Sequence, residues 1–187
     1  AATPEQIIAL FPDTFYENTY GTVGVVNKEE GIDETLKVIE VTPFRLEADY
    51  SDGRRPDHVT ISKNIEDDLK RRDFTFNAIA LNSKGEIVDL FKGQDDLKAR
   101  TIRAVGNADE RFKEDALRIL RAVRIATEHD FSIVKDTEDA IRADVHMLKN
   151  ISQERIRDEF NRILMSAEPM KGLVMAQNLG ILKYIAP

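Results

Sequence analysis

Between Arg111 and His129 the sequence RFKEDALRILRAVRIATEH sets four arginines, Arg111, Arg118, Arg121 and Arg124, beside two carboxylates, Glu114 and Asp115. At 100° per residue these six share the polar side of one helix, with Arg124 at its margin. Phe112, Ala116, Ile119, Leu120 and Val123 fill an apolar arc that predicts a buried face. Two chemistries fit the polar side. Arg111–Asp115 and Glu114–Arg118 are i,i+4 pairs and Asp115–Arg118 is an i,i+3 pair, which gives surface ion pairs of about 0.2–0.5 kcal/mol each. The alternative notes that every cation on this arc is arginine, whose planar fork fits phosphates and base edges where lysine offers only a point charge. An aspartate beside an arginine also sets an acceptor next to a donor. Cytosine and adenine complement that pattern, because each shows an amino donor beside a ring acceptor. Uracil and guanine put a carbonyl opposite the carboxylate, a mismatch that binding sites reject strongly.

The elements that must position this arc differ along the chain. Thr3-Pro4-Glu5-Gln6 predicts a capping box and a helix to about Phe11, and a cap so near the first residue implies a preceding segment. Residues 22–26 read as a short strand, and KVIEVTPFRL at 37–46 as the longest β-branched run, with Glu40 in its middle. A lone carboxylate in a strand ordinarily faces solvent, with metal ligation as the alternative. Residues 47–57 read as a polar turn segment around Asp52-Gly53, and His58–Ile61 as a further strand. A charged helix over Asn64–Arg72 leads through Arg71-Arg72-Asp73 into a strand at Ala78–Leu81. A hairpin turn at Ser83–Glu86 then returns through Ile87–Leu90. Near Asp96–Arg103 a 3.6-residue period takes over, which predicts a boundary between residues 1–102 and an all-helical 103–187. Helices are expected over Asp136–Leu148, from a Ser152 cap with an Ile151–Ile156 staple, and over Pro169–Leu179 with Gly180 as the stop.

Composition narrows the function classes. With 187 residues, 42% hydrophobic and 33% charged, the chain has the make-up of a soluble globular protein. No apolar run approaches 18 residues and no signal pattern opens the chain, so no membrane role is expected. The absence of cysteine excludes disulfides, thiol nucleophiles and cysteine-based zinc sites, and suits a cytoplasmic location. The net charge of −7 is carried entirely by residues 1–60, which hold 5 Lys/Arg against 12 Asp/Glu. Contact with a polyanion must therefore come from local arginine clusters. Walker-type and Gly-x-Gly-x-x-Gly cradles are absent. His58, His129 and His146 lack zinc spacing, and His129-Asp130 has none of the companion histidines of a metal phosphohydrolase.

Longer motifs carry a family resemblance. EVTPFR at 40–45, DGRRPD at 52–57, DLKRRDFTFNAIAL at 68–81, DLFKGQDDLKARTIRAVGNADERFKEDALRILRAVRIA at 89–126 and ISQERIRDE at 151–159 occur in order. Together they resemble class II tRNA nucleotidyltransferases, the CCA-adding enzymes, and the related bacterial poly(A) polymerases. The resemblance covers nearly the whole chain. It implies an α+β fold: a nucleotidyltransferase head with a small mixed sheet, then a helical neck, with the nucleotide between them. It also implies addition of C and A to tRNA 3′ ends from CTP and ATP with Mg²⁺.

Carried over residue by residue, the resemblance makes Asp115 and Arg118 the base-reading pair, with Glu114 in support. Arg72, Arg121 and Arg124 would hold the nucleotide. Asp73 and Asn77 would order that corner, and Glu40 would match a third acidic residue beside the metal site. DGRRPD matches a mobile loop that helps switch base choice. The family's Asp-x-Asp metal pair falls before Ala1 and its tRNA-gripping domains after Pro187. The expectation is thus a fragment that binds nucleotide weakly and cannot polymerise by itself. Poly(A) or A-only addition fits the same motifs. A non-catalytic RNA-binding or split-enzyme subunit is the reading from another class.

Overall fold

A computed structural model describes residues 2–16, 21–48 and 58–185, which fall into two compact units. The first comprises residues 2–48 and 58–68 of that set. Helix α1 (Pro4–Leu10) opens with the expected capping box: Gln6 N–H donates to Thr3 Oγ1 at 3.3 Å, and Thr3 N–H donates to Gln6 Oε1 at 2.9 Å. Strands β1 (Thr14–Tyr16), β2 (Val23–Val26) and β3 (Val38–Val41) form an antiparallel sheet in that order. Ile7 and Val23 are buried within this unit. Phe15, Gly24 and Glu40 stand side by side across the sheet, and a Cβ on Gly24 would lie 2.5 Å from the Phe15 ring. Glycine here lets the aromatic ring cover the strand. The predicted 37–46 strand is two strands, interrupted by Thr42-Pro43-Phe44. The second, β4 (Arg45–Ala48), pairs antiparallel with β5 (His58–Ile61). Pro43 has no N–H for a ladder, which accounts for the interruption. DGRRPD at 52–57 lies outside the described residues.

The second unit begins within helix α2 (Ile65–Lys70) and contains everything after it. Strands β6 (Ile79–Leu81) and β7 (Ile87–Asp89) form the predicted hairpin. Asn82 Oδ1 accepts the N–H groups of Lys84 and Glu86 at 2.9 Å each. Helix α3 (Gly93–Ala99), absent from the sequence reading, is capped by Asp89, which accepts from Gly93 and Gln94 N–H at 2.8 and 2.9 Å. Strands β8 (Thr101–Ile102) and β9 (Ser132–Ile133) pair in parallel. Residues 69–102 fall in this unit by their contacts. Phe74 belongs to the same apolar cluster as Phe112, Ile119 and Leu120, and Thr75 N–H donates to Arg103 O at 3.0 Å.

The region read as one helix from Arg111 to His129 is two. Helix α4 (Ala108–Glu114) stops, Asp115 adopts extended backbone at φ −149° and ψ 102°, and α5 (Leu117–His129) starts afresh. The apolar arc survives this corner: Phe112, Ala116, Ile119, Leu120 and Val123 are all buried. Helices α6 (Lys135–Asp144), α7 (Gln153–Leu164), α8 (Pro169–Asn178) and α9 (Leu182–Ile185) complete the unit. Ile151 and Ile156 join the core as the staple requires, although the Ser152 side chain makes no capping bond. Gly172 brings α8 close to α5 and α7, since a Cβ there would lie 2.5 Å from Ile163 and 2.6 Å from Thr127.

Candidate nucleotide site

Within the second unit a cavity of about 450 Å³ is lined by Arg71, Arg72, Asp73, Asn77, Asp115, Leu117, Arg118, Arg121 and Arg155. Its size lies in the range of small-ligand sites. Five arginines face two aspartates, so the wall is cationic in a chain whose net charge is −7. A larger hollow of about 690 Å³ borders β9, α6 and α8. Its lining sets Arg100, Arg142 and Lys171 against Asp130 and Glu138, so the smaller cavity, with the larger excess of cations, is the better match for a polyanion.

The walls are assembled by backbone carbonyls as much as by ion pairs. Where α2 ends, Arg111 Nη1 donates to Lys70 O at 2.7 Å and Arg118 Nη2 donates to Arg71 O at 2.9 Å. Cations at spent helix carbonyls are favourable, and these two tie the Arg71-Arg72-Asp73 segment to α4 and α5. Arg118 Nη1 also donates to Glu114 Oε2 at 2.7 Å and to Arg111 O at 3.2 Å. Of the three predicted ion pairs, only Glu114–Arg118 forms, because the corner at Asp115 removes the helical spacing from the other two. Arg111 pairs with Glu114 instead, and Asp115 pairs with Arg155 at 2.7 Å.

Asp115 makes its own corner. Its Oδ1 accepts Leu117 N–H at 3.1 Å, the bond by which aspartate starts a helix. Across the cavity Asp73 is almost fully buried. Its Oδ1 accepts Phe74 N–H at 2.8 Å and Asn77 Nδ2 at 3.0 Å. Its Oδ2 accepts Arg121 Nε and Nη2 at 2.9 and 2.7 Å.

Burial pushes the Asp73 carboxyl up, but the Arg121 charge, with the hydrogen bonds from Asn77, Arg121 and Phe74, outweighs it and holds the group below its ordinary value. A carboxyl lowered in the folded state contributes stability that is complete above its unfolded pKa of about 3.9 and is lost as pH falls through the folded value. Urea titrations at a series of pH values from about 5 downward should show this loss, and Asp73→Asn should flatten that segment of the curve. An identical slope in both proteins would remove Asp73 from the account.

The sequence-derived residues are thus partly gathered. Arg72, Asp73, Asn77, Asp115, Arg118 and Arg121 line one cavity, with Glu114 behind Arg118. Arg124 does not line it. Its side chain is 7% exposed and lies between Glu128 and Glu159, at 2.5 Å from each. Glu40 is exposed on β3, in the first unit. Arg71 and Arg155 line the cavity and were not singled out in the sequence. The Arg155 contact spans 40 residues and leaves no local trace.

Comparison with known proteins adds a family. The profile of the "Poly A polymerase head domain" matches residues 1–103, and that of the "Probable RNA and SrmB- binding site of polymerase A" matches residues 130–187. The CCA-adding enzyme of Ligilactobacillus salivarius is 44% identical over 185 residues, which cover 98% of this chain and 44% of that protein. That of Geobacillus thermodenitrificans is 43% identical over 186 residues, 99% and 44% of the two chains. The chain therefore spans about 44% of the length of these curated relatives. Among solved structures, the Bacillus stearothermophilus CCA-adding enzyme in complex with CTP superposes with a TM-score of 0.86. The identity is 39%, over 98% of this chain and 43% of that one. The Thermotoga maritima CCA-adding enzyme complexed with tRNA gives 0.74 at 27% identity, over 96% and 40%.

Proposed function

This chain belongs to the poly A polymerase head-domain family, and on that premise we propose that it selects nucleotides for a template-independent tRNA nucleotidyltransferase. The reaction adds C and A to tRNA 3′ ends from CTP and ATP and releases pyrophosphate. One observation carries the reading: a cationic cavity whose rim holds an aspartate and an arginine, Asp115 and Arg118. Arg72 and Arg121 hold the triphosphate, whose oxygens match guanidinium forks. Asp73 and Asn77 keep Arg121 in place. Asp115 accepts the amino group of cytosine or adenine while Arg118 donates to the ring nitrogen. The relatives named CCA-adding enzyme favour C and A addition over poly(A) synthesis.

The family's chemistry also calls for Mg²⁺, held by carboxylates so that a 3′-hydroxyl can attack. Glu40 is the candidate ligand in the first unit. Among the described residues no group of three His, Cys, Asp or Glu is placed to hold an ion. The described residues do not by themselves fit the metal. No helix among them is long and apolar enough to cross a membrane.

Equilibrium binding of the four nucleoside triphosphates to this chain tests the proposal. CTP and ATP should bind at least about tenfold more tightly than UTP and GTP. Equal binding of all four, or none, defeats it. Retention of ATP without CTP assigns the chain to A-only addition.

A further inference from the structure

We propose that Arg155 is a positioning residue that fixes the reading oxygen of Asp115. The inference rests on the base-reading proposal above. Asp115 is in a cavity with five arginines, and Arg118 stands only three residues away. A carboxylate so surrounded would pair with whichever guanidinium reached it first, and pairing with Arg118 would hide acceptor and donor from a base. Instead Arg155, from α7, takes both oxygens: Nη1 donates to Oδ1 at 3.2 Å and Nη2 to Oδ2 at 2.7 Å. Such a two-toothed pair sets the plane of the carboxylate as well as its place.

A count of bonding sites then identifies the atoms left for a ligand. A carboxylate has about four acceptor places and a guanidinium five N–H donors. Asp115 Oδ1 is filled by Leu117 N–H and Arg155 Nη1, and Oδ2 accepts Arg155 Nη2, which leaves one place on Oδ2. Arg118 spends three donors on Glu114 Oε2, Arg111 O and Arg71 O, which leaves two. The open edge is therefore Oδ2 of Asp115 with the remaining N–H groups of Arg118. Arg155 touches no base in this scheme. It acts through Asp115, as a supporting group orients a binding group.

The test compares CTP with the triphosphate of a cytidine analogue that carries hydrogen in place of the 4-amino group. The full 187-residue chain is used, with folding followed by circular dichroism. The unaltered chain should prefer CTP by about ten- to a hundredfold, the range for a charge-assisted hydrogen bond. Arg155→Ala and Arg155→Gln should bring the ratio to within about twofold, and Arg155→Lys should keep part of it. An unchanged ratio in the variants, or equal weakening of both ligands, overturns the positioning role. An unaltered chain that does not separate the two ligands overturns the base-reading proposal itself. If Arg155→Ala does not fold, the ratio measured for Arg155→Gln decides.

Discussion

Arg124→Ala should destabilise the second unit by about 3–5 kcal/mol, the cost of breaking a buried ion pair from one side. Arg124 lies between α5 and α7, with Glu128 and Glu159 each at 2.5 Å and side-chain exposures of 7%, 19% and 11%. Removal of the guanidinium leaves two carboxylates facing each other in a poorly hydrated space, as well as a void. Arg162 lies 3.1 Å from Glu128 and Arg121 3.8 Å from Glu159, so part of the charge stays matched and the loss should fall at the lower end of the range. Thermal melting should drop by on the order of 10 °C. The double change Arg124→Met with Glu159→Leu should recover much of this, because an apolar pair carries no desolvation cost. The measurement also separates two roles for Arg124. A nucleotide ligand would lose binding and keep stability, whereas the network seen here loses stability first.

Asp115→Ala should abolish the preference for CTP and ATP over UTP and GTP, a loss of about ten- to a hundredfold in the ratio of dissociation constants. The cavity remains cationic through Arg71, Arg72, Arg118, Arg121 and Arg155, so triphosphate binding as such should persist. Loss of the bond to Leu117 N–H costs about 1 kcal/mol of helix start. Asp115→Asn gives the sharper result. Its carbonyl keeps the bond to Leu117 while its amide turns a donor toward the ligand, beside the donors of Arg118. Bases with a carbonyl at that point should then gain, and the order should move toward UTP and GTP. Binding constants for all four triphosphates to both variants decide, and an unaltered order in Asp115→Ala would remove the residue from recognition.

Much of the fold was legible because its signals are local. The capping box at Thr3, the hairpin around Asn82 and Gly85, and the buried arc from Phe112 to Val123 need only neighbours in sequence. The corner at Asp115 was not, since the apolar spacing runs through it undisturbed and neither glycine nor proline marks it. Aspartate's preference for helix starts was the available sign, masked by the adjacent Glu114. Arg124 sat at the edge of the helical wheel, and only Glu159, 35 residues on, shows why it turns inward. Strands β8 and β9, two residues each, are too short to carry a period. Of the cavity, Asp115, Arg118 and Arg121 stood out on the helical wheel, and Arg72, Asp73 and Asn77 followed from the family resemblance. Arg155 needed α7 folded against α5 and its corner.

The extended backbone at Asp115 has one further consequence. A residue inside a continuous helix shares its register with every neighbour, so exchanging it perturbs the packing above and below. Asp115 stands between two helices whose apolar faces, Phe112 on one side and Ile119 and Leu120 on the other, are buried, while its own side chain bonds Leu117 N–H and Arg155. On the proposed reading, the frame and the letter are therefore separable. Exchange of this one side chain, with Arg155 adjusted to it, should change which nucleotides are accepted while the core keeps its packing.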